Sequence, residues 1–161
     1  MKELESLADQ LGQLLKQNNL KLATAESCTG GGLGFYITST PGSSEWYDRG
    51  FITYSDTAKI DMLNVKPYTL EQFGAVSEQV VREMADGALA NSDADLSIAI
   101  TGIAGPSGDA PGKPVGTVWI AYAGKNITTE AHVDVFPGDR TGVRLGTIKR
   151  VLEHLLRLIK T

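Results

Sequence analysis

Apolar residues in the first stretch of the chain recur at helical spacing: Leu4, Leu7, Ala8, Leu11, Leu14 and Leu15, with Glu, Gln, Asp and Lys between them. The pattern predicts an amphipathic helix ending near Asn18-Asn19. Leu20 to Ala25 reads as a strand that runs into Glu26-Ser27-Cys28-Thr29 and the glycines Gly30, Gly31 and Gly32. A mixed apolar run, Leu33 to Ile37, continues as a helix until Pro41-Gly42 breaks it. Ser43 to Tyr47 reads as a short helical turn, with Trp46 and Tyr47 as packing residues. Gly50 to Tyr54 is a β-rich run, and Ser55 stands where it can cap a helix that carries Lys59. Thr69-Leu70-Glu71-Gln72 fits a capping box for a short helix closed by Gly74. Ser77-Glu78 opens a longer helix with Val80, Val81, Met84, Ala88 and Leu89 on its buried side.

Asp95 to Thr101 is the clearest strand. Leu96, Ile98 and Ile100 face one way and the small residues Ser97, Ala99 and Thr101 the other, which predicts a central strand covered on both sides. Gly102 to Pro114 is a loop rich in glycine and proline, and loops of this length are functional or disordered. Val115 to Ala123 is a further strand. Asn126 to Phe136 alternates Ile127, Ala131, Val133 and Val135 with Thr128, Glu130, His132 and Asp134. That predicts a half-exposed edge strand, antiparallel to the preceding one through Gly124-Lys125. Asp139 caps a last helix whose stripe is Val143, Ile148, Val151, Leu152, Leu155 and Ile159. The order α-β-α-β-α-α-β-β-β-α implies a three-layer α/β/α sandwich with a mixed sheet and helices on both faces.

The 161 residues are expected to form one domain over 1–161. The net charge is −4, and no Lys/Arg run makes a basic stripe, which argues against a nucleic-acid partner. No apolar run is long enough for a membrane span. The N-terminal residues lack the apolar region of a secretory signal. The single cysteine, Cys28, permits no internal disulfide and fits a reducing compartment, so the expected location is cytoplasmic.

The candidate chemistry centres on the strand–turn–helix at Ser27, a place where backbone N–H groups favour negative charge. The glycines do not form the dinucleotide fingerprint, because residue 35 is Phe. Gly108 to Lys113 misses the phosphate-loop spacing by one residue, with Pro114 where a magnesium-binding hydroxyl belongs. The two histidines, His132 and His154, read as surface residues, and no His/Cys/carboxylate spacing suggests zinc; no metal is expected. Lysine is left as a base. Lys59, near a helix N-terminus and buried against the sheet, would be held below the ordinary value of about 10.4, toward the 7–8 of a working base. Exposed, it would be a solvated helix lysine, and Asp56 could pair with it. Cys28 is the rival nucleophile if it is a thiolate, and a small buried residue if it is not.

Seven blocks carry a resemblance: TAESCTGGG (Thr24 to Gly32), PGSSEW (Pro41 to Trp46), GFITYSDTAK (Gly50 to Lys59), GAVS (Gly74 to Ser77), TGIAGP (Thr101 to Pro106), KPVGTV (Lys113 to Val118) and GDR (Gly138 to Arg140). In this order they closely resemble the CinA C-terminal domain family, over nearly the whole chain. The resemblance implies a nicotinamide-nucleotide amidohydrolase in its stand-alone form. Such an enzyme converts nicotinamide mononucleotide and water to nicotinate mononucleotide and ammonia in pyridine-nucleotide recycling. It also implies a Ser/Lys mechanism with an acyl-enzyme: Ser27 as nucleophile, Lys59 as base and Tyr54 as third member.

The expected substrate contacts are Glu26, Cys28, Thr29, Gly30 and Gly31 in the first turn, with Thr101, Gly102, Ala104 and Gly105 in the second. Arg140 is the candidate for the 5′-phosphate, or else an exposed helix arginine. No cofactor is implied, and on family grounds a homo-oligomer is expected. The other reading is a non-catalytic nucleotide-binding module of the same fold.

Overall fold

The computed structural model describes residues 2–108 and 110–160, so Met1, Asp109 of the Gly/Pro loop and Thr161 lie outside it. The elements run α1 (Lys2–Gln17), β1 (Leu22–Glu26), α2 (Gly32–Ile37), a 3-10 turn (Ser43–Glu45), β2 (Tyr47–Ile52), α3 (Asp56–Leu63), α4 (Pro67–Phe73), α5 (Glu78–Ala90), β3 (Leu96–Gly102), β4 (Thr117–Gly124), β5 (Ile127–Val135) and α6 (Arg140–Lys160). The strands form one mixed sheet in the order β2-β1-β3-β4-β5. β1 runs parallel to β2 and β3, while β3, β4 and β5 are successively antiparallel.

Alternation along the central strands separates two cores. Leu22, Leu96, Ile98, Ile100, Val118, Ile120 and Tyr122 face α1, α2 and α6, and the core on that side includes Leu11, Leu15, Ile148 and Leu152. Ala25, Ala99, Ala121 and Ala123 face the other way, against Leu63, Val80, Val81 and Met84. The small residues on this second face let α5 approach closely, and the Ser97 hydroxyl donates to Ala85 O at 2.6 Å. The three layers are those that the alternating pattern implies, with β3 in the middle.

Four details differ from the pattern-based expectation. β2 begins at Tyr47 rather than Gly50, because Tyr47 pairs with Leu22 and its hydroxyl lies 2.7 Å from Thr24 Oγ1. The three helices read segment by segment between β2 and β3 are all present, one more than the summary order counts. Thr69 closes no capping box: α4 starts at Pro67 with Lys66 as its cap residue. Glu83 of α5 takes over the capping, accepting from Lys66 N at 2.9 Å and from the Thr69 hydroxyl at 2.7 Å. Finally, the polar face of β5 does not look away from the protein. Tyr122, Ile120 and Val118 pair with Glu130, His132 and Asp134, so these side chains share the α6 side of the sheet. Val133 and Val135, on the opposite face, are exposed, and so is His132.

The Gly/Pro loop is pinned. Ile103 N donates to Thr117 O, Gly116 N to Ile103 O, and Lys113 Nζ to Phe73 O.

Candidate active site

The parallel strands β1 and β3 end side by side; β1 passes into the turn before α2, and β3 into the Gly/Pro loop that leads to β4. Such a crevice is where open α/β sheets bind ligands. Ser27 follows β1 directly, and its N–H donates to Ile100 O at 3.0 Å, extending the ladder by one residue. On the other side, Thr53 N donates to Glu26 O at 2.9 Å. The position of Ser27 is therefore held from both neighbouring strands. The chain then reverses through Gly30 and Gly31, whose φ angles of 60° and 101° favour residues without a Cβ.

Glu26 builds this turn from within. Its buried carboxylate accepts from the Thr29 hydroxyl (2.6 Å), Leu33 N (2.9 Å) and Gly34 N (3.0 Å), so it satisfies amides at the start of α2. Arg144 of α6 holds the turn from outside, with Nε donating to Cys28 O at 2.8 Å.

Lys59 comes from the first turn of α3, where Ser55 caps the helix by accepting from Ala58 N at 3.0 Å. Its side chain is only 1% exposed, so the buried alternative is the one realised. Nζ lies 2.8 Å from Thr53 O, 3.2 Å from Tyr54 O and 3.0 Å from Ser27 Oγ. Burial pushes the Lys59 amine below the ordinary lysine value, opposed by the negative charge of Asp56 and by Cys28. Burial pushes the Cys28 thiol up to about 11, so it is protonated near neutrality and is no thiolate.

A cavity of about 250 Å³ opens over these groups. Ser27, Cys28, Tyr54 and Lys59 line it from one side, and Thr101, Gly102, Ala104 and Arg140 from the other. Glu26, Thr29, Gly30 and Gly31 are not among its lining residues; they form the turn that presents Ser27. Gly105 contributes its carbonyl, which accepts from Arg140 Nη1 at 2.8 Å. Arg140 Nη2 also donates to the Tyr54 hydroxyl at 3.0 Å. Both partners are neutral, and among the described residues no carboxylate forms an ion pair with Arg140.

Three lining residues were not singled out as contacts from the sequence: Asp56, Ala75 and Val76. The GAVS block carries Ala75 and Val76, and GFITYSDTAK carries Asp56; the Thr101 hydroxyl donates to Ala75 O at 2.9 Å and ties the GAVS block to the cleft. Arg144 carried no sequence signal, because its partner Cys28 lies 116 residues away.

A hydroxyl, a buried amine and an arginine converging on one cleft define a site suited to acyl chemistry on an anionic substrate. The sequence profile of the CinA C-terminal domain matches residues 4–159, and the chain belongs to that family. It is 52% identical over 156 residues to the nicotinamide-nucleotide amidohydrolase PncC of Escherichia coli strain K12, covering 95% of this chain and 93% of that protein. It is 48% identical to the protein of the same name from Enterobacter agglomerans, covering 97% of this chain and 95% of that one. Among solved structures, the competence/damage inducible protein CihA from Agrobacterium tumefaciens superposes with a TM-score of 0.93 at 42% identity, covering 98% of this chain and 96% of that one.

Proposed function

We propose that this protein is an amidohydrolase that deamidates nicotinamide mononucleotide to nicotinate mononucleotide and ammonia through a Ser27 acyl-enzyme, with Lys59 as the base. Relatives of this length and identity that carry the amidohydrolase name support the reaction. The observation that carries the mechanism is the environment of Lys59 Nζ. A neutral amine has two N–H groups and one lone pair. The carbonyls of Thr53 and Tyr54 are acceptors only, so they take the two N–H groups. As an ammonium the group donates its third N–H to Ser27 Oγ at 3.0 Å; once deprotonated, it turns its lone pair to that hydroxyl.

In the reaction, the Ser27 proton passes to Lys59 Nζ as Oγ attacks the carboxamide carbon. The Gly30 amide already donates to Ser27 O, which leaves the Cys28, Thr29 and Gly31 amides as candidate donors to the oxyanion. The intermediate collapses with cleavage of the C–N bond, and the Lys59 ammonium returns its proton to the departing nitrogen. Water then adds to the ester carbon, giving its proton to Lys59. The C–Oγ bond breaks, Ser27 is reprotonated, and the carboxylate product leaves. The direct contact between Lys59 and Ser27 makes a relay through Tyr54 unnecessary; Tyr54 serves instead to orient Arg140. Arg140, with neutral partners only, is suited to the substrate phosphate.

The acting unit is one domain over residues 1–161, in line with its continuous sheet. We place it in the cytoplasm, in line with its single unpaired cysteine; no described helix is long and apolar enough to cross a membrane. Exposed Val133 and Val135 on the edge strand support self-association, which sedimentation velocity tests; a monomer at every concentration would overturn it.

The deciding experiment is ammonia release from nicotinamide mononucleotide by the native chain, Ser27→Ala and Cys28→Ala. Release by the native chain and Cys28→Ala, with none by Ser27→Ala, is the expected result. Release by Ser27→Ala discards the nucleophile. Substrate binding with no turnover by the native protein would make the chain a nucleotide-binding module.

A further inference from the structure

Among the described residues, a second group of chemistry-bearing side chains converges outside the Ser27 cleft. Glu130 and His132 stand two residues apart on β5 and therefore share the face turned to α6. α6 places His154 opposite them. His154 Nε2 lies 2.6 Å from Glu130 Oε1, and His132 Nε2 lies 3.2 Å from the same oxygen. The imidazole rings are 5.1 Å apart, and the three donor atoms lie within 4.8 Å of one another. No local spacing signals this cluster, because strand and helix contribute ligands 24 residues apart.

Two imidazole nitrogens and one carboxylate oxygen suit Zn²⁺ and neighbouring transition metals rather than Mg²⁺ or Ca²⁺. Ligand atoms held at about 2.0–2.1 Å around a tetrahedral ion sit about 3.3 Å from one another. The His132–Glu130 separation of 3.2 Å is already at that spacing. The His154–Glu130 pair reaches it by opening about 0.7 Å. Tyr122 packs on the His154 ring with 4.4 Å between centroids and fixes its orientation. A cavity of about 270 Å³ beside the cluster leaves room for a fourth ligand. Asp134, which also lines it, is engaged by Arg150 and stays outside the donor set. Arg157 faces the same cavity, so the open position favours water or a small anion.

We propose that Glu130, His132 and His154 form a three-ligand site for a divalent transition-metal ion of the Zn²⁺ class, with its fourth position open to this cavity. The site clamps the edge strand β5 onto α6. It stands apart from the Ser27 cleft, since Glu130 pairs with Tyr122 of β4 and β3 lies between β4 and β1. The two sites share one element: α6 carries Arg140 and Arg144 near its start and His154 about 15 Å further along.

The test uses the full chain, stripped with a chelator, and Zn²⁺ alone as the probe. Calorimetry is expected to show saturable 1:1 binding, and Co²⁺ the visible absorption of a tetrahedral site. At Zn²⁺ 100-fold above Kd, Tm is expected to rise by about 5–11 °C. His132 is half exposed, so H132Q is expected to keep its metal-free Tm. Its affinity should fall by more than the roughly 10–100-fold that loss of an outer-shell partner costs, and E130Q should behave alike. Absence of saturable binding overturns the proposal and leaves the cluster as hydrogen-bonded imidazoles and carboxylate. Binding unchanged in both H132Q and E130Q overturns it as well.

Discussion

Lys59 is a lysine without solvent, and two consequences follow for the residue. As the proposed base it must be neutral to accept the Ser27 proton. Deamidation should therefore rise with pH through the lowered Lys59 pKa and level off above it. Lys59→Met keeps an unbranched apolar stem one atom shorter and removes the base. It is expected to lower kcat by about 10²–10⁴-fold, measured by ammonia release, with the protein still folded. Thermodynamically, the folded pKa lies below the unfolded one, so between the two the unfolded chain binds the extra proton and stability rises with pH. The native chain should thus be least stable, relative to Lys59→Met, at pH below the folded pKa, and the difference should change in its favour up to about pH 10.4. Denaturant melts of both proteins across that window check the sign. The block GFITYSDTAK made Lys59 legible as a candidate. Its two carbonyl partners were not, since they depend on how β2 ends against the helix cap.

At the scale of elements, the separation of Lys59 from Ser27 is set by how deeply α3 sits against α5. Gly87 of α5 makes the approach possible: a Cβ there would lie 1.9 Å from Leu63 O, one helical turn beyond Lys59. Gly87→Ala must push α3 outward. It is expected to cost about 1–3 kcal/mol, lowering Tm by about 2–12 °C, and to lower kcat with it by moving Lys59 away from Ser27. A lower Tm with unchanged kcat would show that the catalytic pair is positioned by β2 and not by α3. Element types were readable wherever periodicity was strong, as in α1, α5, β3 and α6. Errors fell where a distant partner replaced a local one. Glu83 caps α4 in place of the Thr69 box, and Arg150 and His154 of α6 meet a strand face whose polarity suggested water.

Across the whole molecule, a chain of net charge −4 places the guanidinium of Arg140 in the cleft, with that of Arg144 behind it. This local positive field suits an anionic substrate. Arg140→Ala is expected to raise KM for nicotinamide mononucleotide about 10–100-fold, the scale of one charge-assisted hydrogen bond, and to leave the phosphate-free riboside nearly unaffected. Steady-state kinetics with both substrates check this. An equal effect on both would make Arg140 a support for Tyr54 and Gly105 only.

The sequence alone was enough for the layered architecture, because alternating and helical periods record which side of each element is buried. It was also enough to single out Ser27 and Lys59 as candidates, because short motifs keep a hydroxyl beside its turn and a lysine beside its cap. Only the tertiary structure decided whether Lys59 is buried or solvated, that Cys28 is a protonated thiol, and that Glu26 braces the turn instead of facing the cleft. It alone brought His132 and His154 together. Each of these depends on contacts between strands and helices far apart in the chain, and burial, which sets the charge of a lysine or a thiol, belongs to the packed molecule and not to any segment of it.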